Sequence, residues 1–123
     1  MGYKRLNKVE LGKYGEDLAA EYLEKNGLRI VERNFRCPRG EIDIIAKDRQ
    51  VLVFIEVRAR TGGRDGSAEE SIDYRKLARL KLLSSHYLMA RRYKELPLIR
   101  IDAVTVYFTE QGKEINWLKN ITS

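Results

Sequence analysis

Two carboxylates, Asp43 and Glu56, stand where the sequence would let a divalent cation sit between them. Asp43 lies in Gly40-Glu41-Ile42-Asp43-Ile44-Ile45-Ala46, and Glu56 lies in Phe54-Ile55-Glu56-Val57-Arg58-Ala59-Arg60. Both segments are rich in β-branched residues and read as strands, with Asp48-Arg49-Gln50 as a turn between them. If Arg49 and Gln50 form a two-residue loop, Asp48 pairs with Val51 and counting back sets Asp43 opposite Glu56. Directly opposed residues of an antiparallel pair have Cβ atoms about 4.5–5.5 Å apart on one face. Two like charges at that distance repel unless a cation sits between them. An Asp and a Glu converging on one point make a hard, all-oxygen site suited to Mg²⁺ or Mn²⁺.

The surroundings of this pair are cationic. Arg29, Arg33, Arg36 and Arg39 precede it, and Arg58, Arg60 and Arg64 follow. The whole chain carries 24 Lys and Arg against 18 Asp and Glu, a net charge of +6 that points toward polyanions, nucleic acid foremost. A cationic rim around a carboxylate pair suits a phosphodiester substrate and its metal together. Arg36, Arg39, Arg60 and Arg64 are the expected nucleic-acid contacts.

The elements that must position these groups follow from periodicity. A helix is expected from about Leu11 to Asn26, with Leu18, Ala19, Tyr22 and Leu23 on its apolar face and Gly27 as its stop. At 100° per residue, Glu16 falls at the edge of that face and looks toward the sheet, whereas Asp17 points to solvent. Leu28 to Arg33 reads as a strand, and Asn34 to Gly40, containing Pro38, as a turn. The strand ending in Glu56 is apolar on both faces, Leu52 and Phe54 on one side and Val51, Val53 and Ile55 on the other. It therefore requires helices above and below. Glu56 and Arg58 share the Leu52/Phe54 face, where the apolar run ends.

Thr61 to Gly66 holds three glycines and reads either as a substrate-gating loop or as a plain connector. A second helix is expected from Asp73, its N-cap, to Tyr93. Its inward stripe is Leu77, Leu80, Ser84, Tyr87 and Leu88, and Lys76 lies on that stripe in the first turn, where it either snorkels or serves a site. Ile99 to Phe108 reads as a further strand and Ile115 to Leu118 as a short last one.

Composition excludes several classes. With 123 residues, 43% of them hydrophobic, one domain with a real core is expected. No apolar run approaches the roughly 20 residues of a membrane span. Met1-Gly2-Tyr3-Lys4-Arg5-Leu6 lacks the apolar core of a signal peptide. The single cysteine, Cys37, makes no internal disulfide, so a cytoplasmic location is expected. One histidine, His86, without a cysteine cluster argues against zinc. There is no Walker-type phosphate loop and no Gly-x-Ser-x-Gly elbow.

Taken together, Tyr14-Gly15-Glu16-x-x-Ala19, Gly27, Arg33-Asn34-Phe35-Arg36, Gly40-Glu41-Ile42-Asp43-Ile44-Ile45-Ala46 and Val53-Phe54-Ile55-Glu56-Val57-Arg58-x-Arg60 closely resemble the bacterial YraN-type family of uncharacterised endonuclease-like proteins. The likeness runs from about Lys13 to Val106 and includes Lys76 and Arg100-Ile101-Asp102-Ala103-Val104. It implies a restriction-endonuclease-like fold, three α/β layers with a central mixed sheet, similar to archaeal Holliday-junction resolvases and other PD-(D/E)XK nucleases. It further implies Asp43 as the strand acid and Glu56 as the acid of the Glu-x-Lys element. Glu16 becomes the added helix-borne carboxylate and Lys76 a supporting cation. The departure is Arg58, where the nuclease pattern has lysine. Arginine can stabilise developing charge, but it stays protonated and accepts no proton.

Three readings follow. The first is a metal-dependent nuclease acting on DNA ahead of RNA, with branched DNA among its substrates. Asp43, Glu56 and Glu16 would serve the metal, and Arg58 and Lys76 the phosphate. The second is a nucleic-acid-binding module that keeps the fold and cuts weakly or not at all. The third is an interaction protein whose acids pair with Arg58, Arg60 or Lys76. Nucleases of this type often act as two-fold dimers, so a homodimer is also an expectation.

Overall fold

The computed structural model describes residues 5–62 and 73–122. Helix α1 spans Lys8–Lys25 and starts three residues ahead of the expected Leu11 because Asn7 and Glu10 cap it reciprocally. The Glu10 N–H donates to the Asn7 side chain at 2.8 Å and the Asn7 N–H to the Glu10 carboxylate at 3.0 Å. Gly27, at φ 96°, ends the helix as expected.

Five strands follow: β1 (Arg29–Cys37), β2 (Gly40–Asp48), β3 (Val51–Thr61), β4 (Ile99–Thr109) and β5 (Gly112–Leu118), with helix α2 (Tyr74–Ala90) between β3 and β4. They form one sheet in the order β1-β2-β3-β4-β5. The β3–β4 pair is parallel and every other pair antiparallel. A parallel neighbour needs a crossover, which the connection through α2 supplies. Helix α1 packs on β1, β3 and β4, and α2 on β1 and β2. Each apolar face has its own core: Ile44, Ala46, Val53 and Ile55 beneath α1, and Ile45, Leu52 and Phe54 with the α2 residues Leu80, Leu83 and Tyr87. The two-faced reading of β3 is thereby met, in three layers.

Three further expected boundaries move. Residues 34–37 are strand rather than turn, because β1 runs on to Cys37 opposite Gly40 and only Pro38 and Arg39 turn the chain. Proline fits a turn that needs no donor from it, and Gly40 takes φ 147° after it. Helix α2 begins at its Asp73 cap but ends at Ala90, short of Tyr93. Arg92 turns left-handed (φ 57°) and the Tyr93 N–H folds back on the Leu88 carbonyl at 3.0 Å. Leu83 joins its buried stripe beside Leu80, Ser84, Tyr87 and Leu88. Strand β5 starts earlier than Ile115, since Gly112 already pairs with Thr109. Of the glycine-rich loop, Gly63 to Gly66 lie outside the described residues, Arg64 among them.

Candidate active site at the end of strands β2 and β3

The β2–β3 register is the expected one, from Asp48 opposite Val51 to Ile44 opposite Ile55. Asp43 and Glu56 are the first residues beyond the last pair. Regular pairing stops there because the Asp43 carboxylate takes over as acceptor: the Val57 N–H donates to its Oδ2 at 2.8 Å. The β1–β2 pair also twists at this point. Ile44 belongs to the core under α1 and Ile42 to the core under α2, so the usual two-residue alternation reverses between them. Asn34, left-handed at φ 56°, lies between the residues paired with Ile44 and Ile42, hence across from Asp43. Asparagine is among the few residues other than glycine that tolerate this conformation.

Asp43 is strongly perturbed. Burial foremost, and the nearby charges of Glu56, Glu16 and Glu41, raise its pKa to about 6 against the Val57 hydrogen bond that lowers it. An open groove of about 340 Å³ reaches it, lined by Lys8, Val9, Gly12, Lys13 and Glu16 of α1, Asn34 and Arg36 of β1, Glu41 and Asp43 of β2, and Val57.

Each remaining acid has a cation. Glu16 is mostly buried, and both its oxygens accept: from Arg33 Nε at 2.8 Å and from Asn34 Nδ2 at 2.9 Å. Glu16 thus faces the sheet as expected. Asp17 is exposed, as its place on the wheel required, but it also takes Arg33 Nη2 at 2.6 Å. Glu56, with 11% of its side chain exposed, pairs through Oε2 with Lys76 Nζ at 2.5 Å. Lys76 therefore spans from the first turn of α2 to the middle of β3. Arg58 shares that face, opposite Thr105 of β4, and is only 7% exposed. It is engaged within the fold, an interior cation rather than part of an outer rim.

The expected nucleic-acid contacts separate. Arg36 is exposed and lines the groove while bonding Glu41 at 3.2 Å. Arg39 is exposed at the β1–β2 turn. Arg60 is half-buried and donates to the Ala59 carbonyl at 3.0 Å. Sequence reasoning missed Asn34, Glu41, Lys8 and Lys13. Asn34 left one signal, an Asn amid strand-forming residues; Lys8 and Lys13 left none until the helix start was known.

Asp43 opens onto the groove, whereas Glu56 is held by Lys76 of α2 and is not among the residues lining it, though its charge still raises the Asp43 pKa. Together they would offer two hard oxygen donors, as many as Mg²⁺ commonly takes from protein beside water and substrate phosphate. The like charges around Asp43 are what a divalent ion would relieve. Among the described residues no set of three or more ligating side chains converges, so the donor set fits an ion completed by water and phosphate rather than a protein cage.

A mixed sheet between two helices, with acids on adjacent strands where their pairing ends, defines a restriction-endonuclease-like domain. The chain belongs to the uncharacterised protein family UPF0102, the YraN type, whose model matches residues 15–106. It is 45% identical over 118 residues to the UPF0102 protein of Desulfitobacterium hafniense strain Y51, spanning 94% of this chain and 98% of that one. The Pelotomaculum thermopropionicum protein is 48% identical over 103 residues (84% and 85%). That of Renibacterium salmoninarum is 49% identical over 107 residues (87% and 89%). No helix among the described residues is long and apolar enough to cross a membrane.

Proposed function

We propose that this protein is a metal-dependent nuclease that hydrolyses phosphodiester bonds in DNA, branched DNA included, with Asp43 and Glu56 as ligands for Mg²⁺ or Mn²⁺. The observation that carries this reading is Asp43. A carboxylate held where β2–β3 pairing ends, beside three others and open to a groove with basic residues, is unfavourable for stability and suited to a cation. When bound, such an ion lowers the pKa of a water and offsets charge on the scissile phosphate.

The chain's own residues do the positioning. The Val57 N–H orients Asp43, and Lys76 holds Glu56. Glu16, with both oxygens committed to Arg33 and Asn34, serves the site through water rather than by direct ligation. Lys8, Lys13 and Arg36 draw a polyanion into the groove. Arg58, two residues past Glu56 on the same face, adds fixed positive charge but cannot accept the proton of an attacking water.

That last point favours a second reading, a nucleic-acid-binding module that cuts weakly or not at all. The deciding experiment is cleavage of single strand, duplex, flap, four-way junction and RNA with Mg²⁺ or Mn²⁺, beside Asp43→Ala and Glu56→Ala. Metal-dependent cutting lost in both variants is expected. Cutting that survives both removes the assignment, and salt-sensitive binding without cutting selects the binding module.

A further inference from the structure

Helix α1 carries two glycines three residues apart, and packing accounts for one. A Cβ on Gly15 would lie 3.1 Å from the Ala59 Cβ of β3, so Gly15 lets the helix settle on the sheet. Among the described residues, a Cβ on Gly12 would meet nothing within 4 Å. Gly12 is exposed, and its backbone is ordinary helix that any residue adopts. A glycine inside a helix weakens it relative to alanine. Among the described residues no packing contact offsets that weakening at Gly12.

Gly12 faces the groove that leads to Asp43. Lys8, Gly12 and Glu16 stand one above another along the helix at four-residue spacing. Lys8 and Lys13, one before and one after Gly12 along α1, line the same groove, and Val9 beside them is 82% exposed. Cations flanking bare helix suit a ligand that must come close to the backbone and carries repeated negative charge. An apolar edge beside them suits its sugars or bases. The acids Glu16 and Glu41 at the inner end repel a bare anion, so phosphates rest at the outer, lysine end.

We propose that Gly12 is a substrate-contact position: a single nucleic-acid strand crosses α1 there, its sugar–phosphate backbone between Lys8 and Lys13, on its way to Asp43. This rests on nucleic acid being the ligand, as proposed above, but not on cleavage. The test is fluorescence anisotropy of a short fluorescein-labelled oligodeoxynucleotide, single-stranded and as duplex, in EDTA. The proteins are wild type, Gly12→Ala, Gly12→Gln and, as a control, Lys119→Ala, an exposed residue that lines a different groove with Asp48, Arg49 and Gln50; their thermal midpoints are measured in parallel.

Gly12→Ala is expected to raise the midpoint by about 2–6 °C. It should weaken single-strand binding about threefold, and Gly12→Gln about tenfold, a loss worth one good contact. Lys119→Ala binds as wild type. Unchanged affinity in Gly12→Gln overturns the contact while leaving the nucleic-acid reading standing. A midpoint that falls in Gly12→Ala makes the glycine structural and also overturns it. Tighter binding of duplex than of single strand overturns the single-strand assignment. A wild type that binds neither probe removes the nucleic-acid reading, and this inference with it.

Discussion

Asp43 concentrates the tension between stability and function. Its pKa is raised in the folded state to about 6, so the folded protein binds this proton more tightly than the unfolded chain does. Its contribution to stability is therefore greatest below the ordinary carboxylate value of about 4 and is lost as pH rises through about 6. Asp43→Asn, which can still accept the Val57 N–H, should stabilise the metal-free protein by about 1–3 kcal/mol at pH 8 and by much less near pH 4. Urea midpoints across that range, taken as the difference between variant and wild type, check it. A flat difference would mean that burial does not penalise the charge. The same variant should abolish metal-dependent cutting. At Arg58 the prediction runs the other way: Arg58→Lys supplies a group that can lose a proton, and should raise Mg²⁺-dependent cleavage about tenfold or more, toward the range of general acid–base catalysis. An unchanged rate in a folded variant would confine Arg58 to a structural role.

Two elements are held by contacts that sequence patterning does not display. Helix α1 approaches β3 through Gly15 and Ala59. Alanine at Gly15 or Gly12 gains the same helix propensity, but only the first crowds the sheet. Gly15→Ala should thus be less stable than Gly12→Ala by about 1–3 kcal/mol in chemical denaturation. Equal stabilities would show that α1 can shift without cost. Strand β4 is tied to the end of β5 by Asp102, which is fully buried. Its carboxylate accepts from Arg100 Nε and Nη2, Trp117 Nε1 and the Asn120 N–H, all at 2.9–3.0 Å. Arg100 reaches on to Asp48 in the β2–β3 turn. Asp102→Ala should cost about 3–5 kcal/mol, as removing one partner of a buried pair does. It should also change the emission of Trp117, the only tryptophan. An unaltered spectrum would contradict the tie between Asp102 and the end of β5.

Across the whole molecule the net charge is +6, yet the residues around Asp43 are mixed, with cations at the outer groove and acids within. Non-specific attraction and a defined route are thus separate contributions. If Lys8, Lys13 and Arg36 meet three phosphates, the salt slope for a single strand is about −2, so raising salt from about 50 to 200 mM should weaken binding roughly 20-fold. Titrations at several salt concentrations give the slope. A value near zero would remove these side chains as phosphate contacts. Arg39 and Arg60, expected beside them, have different surroundings: one is exposed at a turn and the other half-buried against β4. Substituting Arg39 should therefore reduce the slope and substituting Arg60 should not.

The sequence by itself determined the β2–β3 register from Asp48 opposite Val51 to Ile44 opposite Ile55, the burial of β3 on both faces, the Asp73 cap and most of the inward stripes of both helices. These depend on local rules: turn length fixes pairing, and the side-chain period fixes faces. It also placed Glu16 at the edge of one apolar face, looking toward the sheet, and Lys76 on another, where a lysine either snorkels or serves a site. Only the tertiary structure decided which cation each acid meets. Arg33 bridges Glu16 and Asp17, Lys76 holds Glu56 and Arg36 holds Glu41, because partners distant in sequence are chosen by packing. The left-handed Asn34 that extends β1 past its expected end, and the twist that turns Asp43 toward a groove under α1, belong to the same category. So does the difference between two glycines identical in sequence terms: one lies against Ala59 and the other opens onto the groove, a distinction that exists only once helix and sheet are in contact.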